Sequence, residues 1–250
     1  MYNPFSLAGK TVLITGASSG IGRGISIECA KMGATLVITG RNEERLNKTF
    51  LALEGENHMQ IVADLVKTED LDSLVEKCPP LDGCVNNAGI PKLMVVKYIK
   101  KESLDEILEI NTIAPIMLTS TLVKNKKLNV GASVVFVSSI SGVLISTLGE
   151  SSYSASKGAI NGFVKGAAID LASKKIRVNS VNPGLIQTEI LELAGELFSK
   201  EQIDGKLKQY PLKRIGQPED VAHGVVYLLS NASSWVTGSN IVIDGGFTLT

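Results

Sequence analysis

The feature that most constrains this chain is a glycine-rich turn, TGASSGIG, at residues 15–22. An apolar run at residues 11–14 precedes the turn, and apolar residues at helical spacing follow it. A strand, a glycine-rich turn and a helix in this order form an anion site. The free backbone N–H groups at the helix N-terminus point at a phosphate, and the glycines let that phosphate approach the backbone. The turn therefore predicts a nucleotide site near the start of the chain.

Apolar runs and helical patterns alternate along the rest of the chain. Strands are predicted at residues 34–39, 58–62, 83–86, 133–137, 177–181 and 241–243, and helices at residues 42–53, 71–76, 102–124, 153–173 and 219–229. The alternation predicts an α/β fold: a single doubly wound Rossmann-type domain over residues 1–250, with a parallel seven-stranded sheet and helices on both faces. Residues 188–212 are apolar but weakly patterned, and we expect them to form a substrate lid.

Composition limits the possible partners and the compartment. Lys plus Arg and Asp plus Glu number 25 each, so the net charge of zero gives no electrostatic reason to expect nucleic-acid binding. No apolar run approaches the roughly 18 residues of a membrane helix, and the first residues lack the pattern of a signal peptide. The cysteines Cys29, Cys78 and Cys84 show no CxxC spacing. We expect a cytoplasmic protein with free thiols, no membrane partner and no metal site.

The residues after the second strand indicate the cofactor. In dinucleotide folds an acidic residue about 20 positions past the glycines binds the ribose 2′-hydroxyl, whereas an arginine suits a 2′-phosphate. Here Gly40 is followed by Arg41, so we predict NADP(H) in preference to NAD(H). The alternative is that Arg41 only starts a solvated helix. After the third strand, Asp64 is a candidate acceptor for an adenine amino group, or simply an acid that leads the next helix.

Two features of the helical segments point to acid–base chemistry. Tyr153 and Lys157 lie four residues apart at the start of a predicted helix, so they share a face. An adjacent ammonium and the positive end of the helix would lower the pKa of the phenol, making the pair a general acid/base for alcohol–carbonyl interconversion. Asn111 falls at a core position, and Pro115 cannot donate to the Asn111 carbonyl, which is then free to bind a water. The alternatives are an ordinary helix face and a kink accommodated by packing.

Together these motifs strongly resemble the short-chain dehydrogenase/reductase family, in a form like its 3-oxoacyl-[acyl-carrier-protein] reductases. The resemblance implies that Tyr153 protonates the carbonyl oxygen while the nicotinamide delivers hydride. It implies that Lys157 holds the nicotinamide ribose, that Ser139 orients the substrate oxygen, and that Asn111 holds a water of a proton relay. The motif positions and their neighbours predicted to bind cofactor are Gly16, Ser18, Ser19, Gly20, Ile21, Gly22, Arg41, Asp64, Leu65, Asn87, Ala88, Gly89, Tyr153, Lys157, Pro183, Gly184, Ile186 and Thr188.

The chain departs from the family pattern at two places. Many NADP-preferring relatives carry a basic residue where this chain has Ser19. The spacing from Ser139 to Tyr153 looks one residue longer than usual, which leaves Ser138 as an alternative. Because relatives commonly form tetramers, and glycines recur every four residues at 158, 162 and 166, we expect a homotetramer. The alternative is that these glycines only let the helix pack closely on its own sheet.

Two other functions stay open at this point. The turn also matches G-x-S-x-G, which would make Ser18 a hydrolase nucleophile, but no strand precedes the first one to complete an oxyanion hole. The two histidines, His58 and His223, lie in patterns typical of structural residues. The second alternative is a catalytically silent dinucleotide-binding sensor or scaffold, which the intact set of predicted catalytic residues disfavours. The substrate stays unresolved among 3-oxoacyl thioesters, steroids and sugar-type ketones.

Overall fold

The computed structural model describes residues 2–188, 205 and 209–250, and within them seven strands form one parallel sheet. The strand order is β3-β2-β1-β4-β5-β6-β7. The strands are β1 (Thr11–Thr15), β2 (Thr35–Gly40), β3 (Met59–Val62), β4 (Leu81–Asn86), β5 (Leu128–Val137), β6 (Arg177–Pro183) and β7 (Asn240–Ile243). The predicted parallel seven-stranded sheet is confirmed, and β5 begins five residues before its predicted start.

Helices cover both faces of the sheet, as predicted. They are α1 (Gly20–Lys31), α2 (Glu43–Phe50), α3 (Thr68–Lys77), α4 (Lys101–Leu108), α5 (Ala114–Lys124), α6 (Ser151–Asp170) and α7 (Pro218–Leu229). One core cluster contains residues of α1, α2 and α7, and the other contains residues of α3, α5 and α6. In β1, Val12 and Ile14 belong to the first cluster and Leu13 to the second. Since both faces are covered, the strand is a continuous apolar run.

The segment predicted as one helix over residues 102–124 is interrupted by a π-helical turn at Glu109–Ile113. There the N–H of Ala114 donates to the carbonyl of Glu109, five residues back, because Pro115 has no N–H to continue the regular pattern.

By length and composition Lys101–Lys124 is the one described helix that could cross a membrane. Leu118 and Leu122 are completely buried in a core cluster, which is the position of a core helix.

The strand order reverses between β1 and β4, and this topological switch point defines where a ligand binds. Ligands of open α/β sheets lie outside the carboxyl ends of the strands at such a point. Most of the lid predicted at residues 188–212, namely residues 189–204 and 206–208, lies outside the described residues. At its C-terminal edge Tyr210 is buried: its hydroxyl accepts a hydrogen bond from the N–H of Leu185 at 3.2 Å, and its ring stacks on Phe247 at 4.8 Å.

Candidate active site

The glycine turn lies in direct backbone contact with the end of β4. A Cβ on Gly22 would clash with the carbonyl oxygen of Gly16, and a Cβ on Gly16 would lie 2.8 Å from Cα of Ala88. The amide of Asn87 donates to the carbonyls of Thr15 at 3.0 Å and of Gly16 at 3.2 Å. Only glycine fits these two positions, because the turn before α1 packs directly against the residues that follow β4. We call this arrangement of residues 15–22 and 87–89 the glycine cradle.

Thr15, which the sequence analysis included in the glycine turn but gave no role of its own, joins the two halves of the cradle. The Thr15 hydroxyl is buried and accepts hydrogen bonds from the N–H groups of Asn87 at 3.0 Å and Ala88 at 3.1 Å. It also lies 3.3 Å from the carbonyl oxygen of Val85, to which it donates. The signal that could have found this residue is a polar side chain at the end of a strand buried on both faces.

Arg41 lies at the β2 side of the cradle. Its side chain is exposed. The residue lies in the connection between β2 and α2, because Asn42 caps the helix by accepting a hydrogen bond from the N–H of Arg45 at 2.9 Å. Arg41 is therefore outside the helix that the alternative interpretation would have it start. A Cβ on Gly40 would lie 3.2 Å from Oγ of Ser18, so the cradle and the residue before Arg41 are in contact.

The residues after β3 form a short turn beyond the sheet. The N–H of Asp64 donates to the Asp70 carboxylate at 2.9 Å, and the Asp64 carboxylate accepts from the N–H of Val66 at 3.4 Å. Leu65 packs against the core cluster of α3, α5 and α6. Helix α3 begins at Thr68 with Lys67 as its N-cap, so Asp64 does not cap it. Its role toward adenine stays a prediction.

The segment after β6 reaches across to the start of α1. The carbonyl of Pro183 accepts from the N–H of Ile140 at 3.1 Å, and the N–H of Gly184 donates to Ile243 at 3.0 Å. A Cβ on Gly20 would lie 3.2 Å from Cγ2 of Thr188. The structure thus brings the predicted nicotinamide side next to the cradle. The side chain of Ile186 is buried in the core, which leaves only its backbone for a cofactor.

Lys157 is buried with its ammonium at the end of β5. Its Nζ donates to the carbonyl of Val137 at 2.9 Å and lies 6.0 Å from the ring centroid of Tyr153. Burial lowers the pKa of Lys157 from 10.5 to about 8, because a charged ammonium loses its hydration there. A Cβ on Gly89 would lie 3.4 Å from the same Nζ and 3.1 Å from Oδ1 of Asn111, so the cradle and the predicted catalytic residues meet.

The pKa of Tyr153 is raised, and the sequence-based prediction that it would be lowered is wrong for this structure. Burial is the largest cause, the hydrogen bond with Ser139 acts in the opposite direction, and the negative charge of Glu150 adds to the increase. The predicted lowering neglected burial, which disfavours the phenolate. The phenol is therefore held in its protonated form at neutral pH.

Only one of the two adjacent serines faces the phenol. Ser139 hydrogen-bonds Tyr153, and its Oγ also accepts from the N–H of Ser141 at 3.0 Å. Ser138 turns the other way, and its Oγ donates to the backbone carbonyl of Lys157 at 3.1 Å. This geometry favours Ser139 over Ser138 as the residue that contacts the substrate oxygen.

The amide of Asn111 joins three segments around the site. Its Oδ1 accepts from the N–H of Ile90 at 2.8 Å, while its Nδ2 donates to the carbonyl of Ile90 at 3.0 Å and to Oγ of Ser156 at 3.1 Å. These bonds account for the polar side chain at a core position. They tie the loop after β4 to the π-helical turn and to α6. The water-binding role of the Asn111 carbonyl stays a prediction.

The three glycines of α6 have different surroundings. A Cβ on Gly158 would lie 3.0 Å from the carbonyl of Gly142, so the loop after β5 packs closely on the helix there. At Gly162 and Gly166 a Cβ would meet open space. Close packing within the chain therefore explains only the first glycine.

The histidines are engaged away from Ser18. Within the described residues, Nδ1 of His58 accepts from the N–H of Leu36 at 3.1 Å and its Nε2 lies 2.9 Å from the carbonyl of Glu54. His223 is exposed on α7 and contacts Glu28 at 3.3 Å. Neither contact provides the general base that a serine nucleophile needs.

Comparison with known proteins gives consistent matches over nearly the whole chain. The model of a family described as Enoyl-(Acyl carrier protein) reductase matches residues 16–248. The chain is 34% identical to 3-oxoacyl-[acyl-carrier-protein] reductase FabG of Rickettsia felis, covering 97% of this chain and 98% of that protein. It is also 34% identical to cyclopentanol dehydrogenase of a Comamonas species, covering 96% and 97%. A Serratia marcescens short-chain dehydrogenase/reductase mutant structure is 30% identical, with a TM-score of 0.89 over 98% of this chain and all of that one.

These matches and the fold show that the chain belongs to the short-chain dehydrogenase/reductase family. It is an oxidoreductase that interconverts carbonyl and alcohol groups on small-molecule substrates with a nicotinamide dinucleotide.

Proposed function

We propose that this enzyme is an NADP(H)-dependent reductase of apolar ketones, with Tyr153 as general acid and 3-oxoacyl thioesters as the first substrate class to test. The observation that carries the proposal is the set of contacts among Ser139, Tyr153 and Lys157 beside a cradle that only glycine backbone can form.

The cradle fits a dinucleotide, because its bare backbone and the N-terminus of α1 suit a pyrophosphate. Ser19, the N-cap of α1, makes no side-chain capping bond in this structure, which leaves its first N–H groups available to an anion. Residues 16–22 and 87–89 would hold the diphosphate and adenosine portions, and residues 183–188 with Lys157 the nicotinamide end. When bound, the cofactor supplies the hydride.

Ser139 and Tyr153 would stabilise the negative charge that develops on the carbonyl oxygen. Ser139 donates a hydrogen bond to that oxygen, and the Tyr153 hydroxyl gives it a proton. A phenol of ordinary pKa near 10 is protonated at neutral pH, and the raised pKa of Tyr153 extends that protonated range, so the hydroxyl can donate its proton. The Lys157 ammonium stabilises the phenolate that forms.

The exposed position of Arg41 supports NADP(H). Its guanidinium lies outside α2, at the side of the cradle where the adenosine ribose is expected, and no carboxylate stands at residue 40 or 41. A guanidinium binds a phosphate by charge-assisted hydrogen bonds. Because the uncharged Ser19 stands where many NADP-preferring relatives have a basic residue, Arg41 would be the principal cation that binds the 2′-phosphate.

Two loops next to the site support an apolar substrate. Residues 90–99 and 141–150 follow Gly89 and Ser139, and the N–H of Met94 donates to the carbonyl of Gly149 at 2.6 Å. These loops expose Leu93, Val96, Leu144 and Leu148, the last with 87% of its surface accessible. An apolar tail of the ketone that lies on these side chains would remove them from water. A small, multiply charged substrate would not.

The surface of α5 and α6 supports a homotetramer. Ile113 in the π-helical turn, Met117 on α5 and Ile169 on α6 are large apolar residues exposed to solvent, and Gly162 and Gly166 leave room for another helix. We place the subunit interface there. The proposal also includes a single domain over residues 1–250, a substrate lid at residues 188–212 and a cytoplasmic location.

Substitution of Tyr153 tests the proposal. We expect Tyr153→Phe to lose at least about 10²-fold in kcat while it binds NADPH with unchanged affinity in a fluorescence titration. The assay follows NADPH oxidation with 3-oxoacyl, steroid, sugar-type and enoyl substrates. Retained turnover in Tyr153→Phe would refute the catalytic assignment. Tight NADPH binding without turnover on any carbonyl by the unchanged enzyme would favour the sensor alternative.

A further inference from the structure

A buried polar network lies behind Lys157, on the side away from Tyr153. It contains Ser138, Asn161 and Ser180, whose side chains are all at least 95% buried. Asn161 lies one helical turn after Lys157 on α6, and Ser180 lies on β6. Neither residue belongs to the predicted site. We call these three residues the network.

The network bonds converge on Lys157 and on the end of β5. The amide of Asn161 donates to Oγ of Ser138 at 2.7 Å and to the carbonyl of Lys157 at 2.9 Å. Ser138 donates to the same carbonyl at 3.1 Å. On either side of Ser138, Val137 binds the Lys157 ammonium and Ser139 binds Tyr153. The position of Ser138 therefore affects both contacts.

Ser180 connects the network to the sheet. Its hydroxyl has one proton to donate and lies within hydrogen-bonding distance of Oδ1 of Asn161 at 3.0 Å, of Asn240 on β7 at 2.8 Å and of Asn182 at 3.3 Å. The orientation of the Asn161 amide is thereby set from strands that hold no other part of the network. A buried amide costs free energy unless it is hydrogen-bonded, so the three bonds of Asn161 are what make a polar residue acceptable at this buried position.

We propose that Asn161 and Ser180 are positioning residues of the reaction. By fixing the position of Ser138, they hold the neighbouring Ser139 and the Lys157 ammonium where the reaction needs them. The inference rests on the proposed function, because it assigns the network to the catalytic role of Lys157. Buried hydrogen-bond networks of this kind act as a unit, so loss of one member affects the others.

Kinetics of Asn161→Leu and Ser180→Ala test the proposal. We expect kcat to fall about tenfold or more in Asn161→Leu, with NADPH affinity within about twofold of the unchanged enzyme, because misplacing a catalytic group slows chemistry more than binding. The double variant should lose no more than Asn161→Leu alone. In the alcohol-oxidation direction, the rising limb of the pH profile should move up by about half a pH unit, because a displaced ammonium no longer favours the phenolate.

Asn179→Ala is the matched control. Asn179 is also buried on β6, but its amide donates to Val236 at 2.9 Å and accepts from the N–H of Ser239 at 3.0 Å, away from Lys157. We expect Asn179→Ala to lower the melting temperature without shifting the rising limb of the pH profile of alcohol oxidation. An unchanged limb in Asn161→Leu, or a kcat loss no larger than that of the control, would overturn the proposal. If Asn161→Leu does not fold, the same pH profile is measured for Ser180→Ala, and an unshifted rising limb in that variant would overturn the proposal.

The two proposals fail in different ways. Turnover in Tyr153→Phe would refute the catalytic assignment itself. Loss of turnover in Tyr153→Phe, together with unchanged kcat and pH profile in Asn161→Leu and Ser180→Ala, would refute only the positioning role.

Discussion

Replacing Lys157 with methionine should make this protein more stable while removing its activity. Lys157 is buried, and burial lowers its pKa from 10.5 to about 8. At about 1.4 kcal/mol per pH unit, the difference corresponds to about 3 kcal/mol that the folded protein loses at neutral pH by keeping this ammonium charged. The hydrogen bond from Nζ to Val137 returns about 1 kcal/mol. We therefore expect Lys157→Met to gain about 2 kcal/mol, or about 4–8 °C in Tm for a chain of this size.

The pH dependence identifies the cause. In the unfolded chain the lysine keeps its proton up to its ordinary pKa of 10.5, whereas the folded protein releases it above about 8. Between these values the unfolded chain binds more protons, so the stability of the unchanged protein rises with pH. Lys157→Met lacks this group, and its advantage should shrink between pH 8 and 10.5.

Urea unfolding at fixed protein concentration, at about pH 7 and about pH 10, measures both effects. Lys174→Met is the control: Lys174 is exposed just after α6, so its replacement should change the free energy of unfolding by no more than about 0.5 kcal/mol. The reasoning is wrong if Lys157→Met is no more stable than the unchanged protein at pH 7, or if the difference between them does not depend on pH.

Three further predictions test other parts of the site. Arg41→Ala should raise the KM for NADPH about tenfold or more and leave the KM for NADH nearly unchanged, since a charge-assisted hydrogen bond contributes about 1.5–3 kcal/mol; equal effects on both cofactors in steady-state kinetics would contradict the NADP(H) assignment. Gly22→Ala should abolish NADPH binding in a fluorescence titration, because its Cβ clashes with the Gly16 carbonyl. Gly162→Ala, whose Cβ meets no atom of its own chain, should leave NADPH binding unchanged, and an equal loss of NADPH affinity in the two variants would show that the cradle is not special. For ketone reduction, kcat should fall as pH rises through about 8, where Lys157 loses its charge; Lys157→Arg, which keeps its charge, should lack this limb, and a limb common to both enzymes belongs to another group.

Much of the fold followed from local patterns. Each apolar run that predicted a strand became one of β1 to β7. For interior strands such as β1 the reason is that a strand covered on both faces must be apolar along its length. The glycine turn indicated its own function, since strand, glycines and helix are neighbours in sequence. The break of the long helix near Pro115 was also predictable, because it depends only on the missing N–H.

Contacts between distant segments could not be read in the same way. The spacing of Tyr153 and Lys157 placed them on one face, but the expected lowering of the Tyr153 pKa was wrong because its burial depends on other elements. That Ser139 and not Ser138 faces the phenol depends on how β5 meets α6.

The sequence by itself determined the α/β class, the parallel sheet, the dinucleotide turn and the candidate pair Tyr153 and Lys157. Those features come from backbone periodicity and from residues that are neighbours along the chain. Only the tertiary structure decided the direction of the pKa shift at each residue of that pair, the hydrogen bonds by which Thr15 and Asn111 join distant segments, and the network behind Lys157. Burial and hydrogen bonding depend on segments that meet from far apart in sequence, and no local pattern records them.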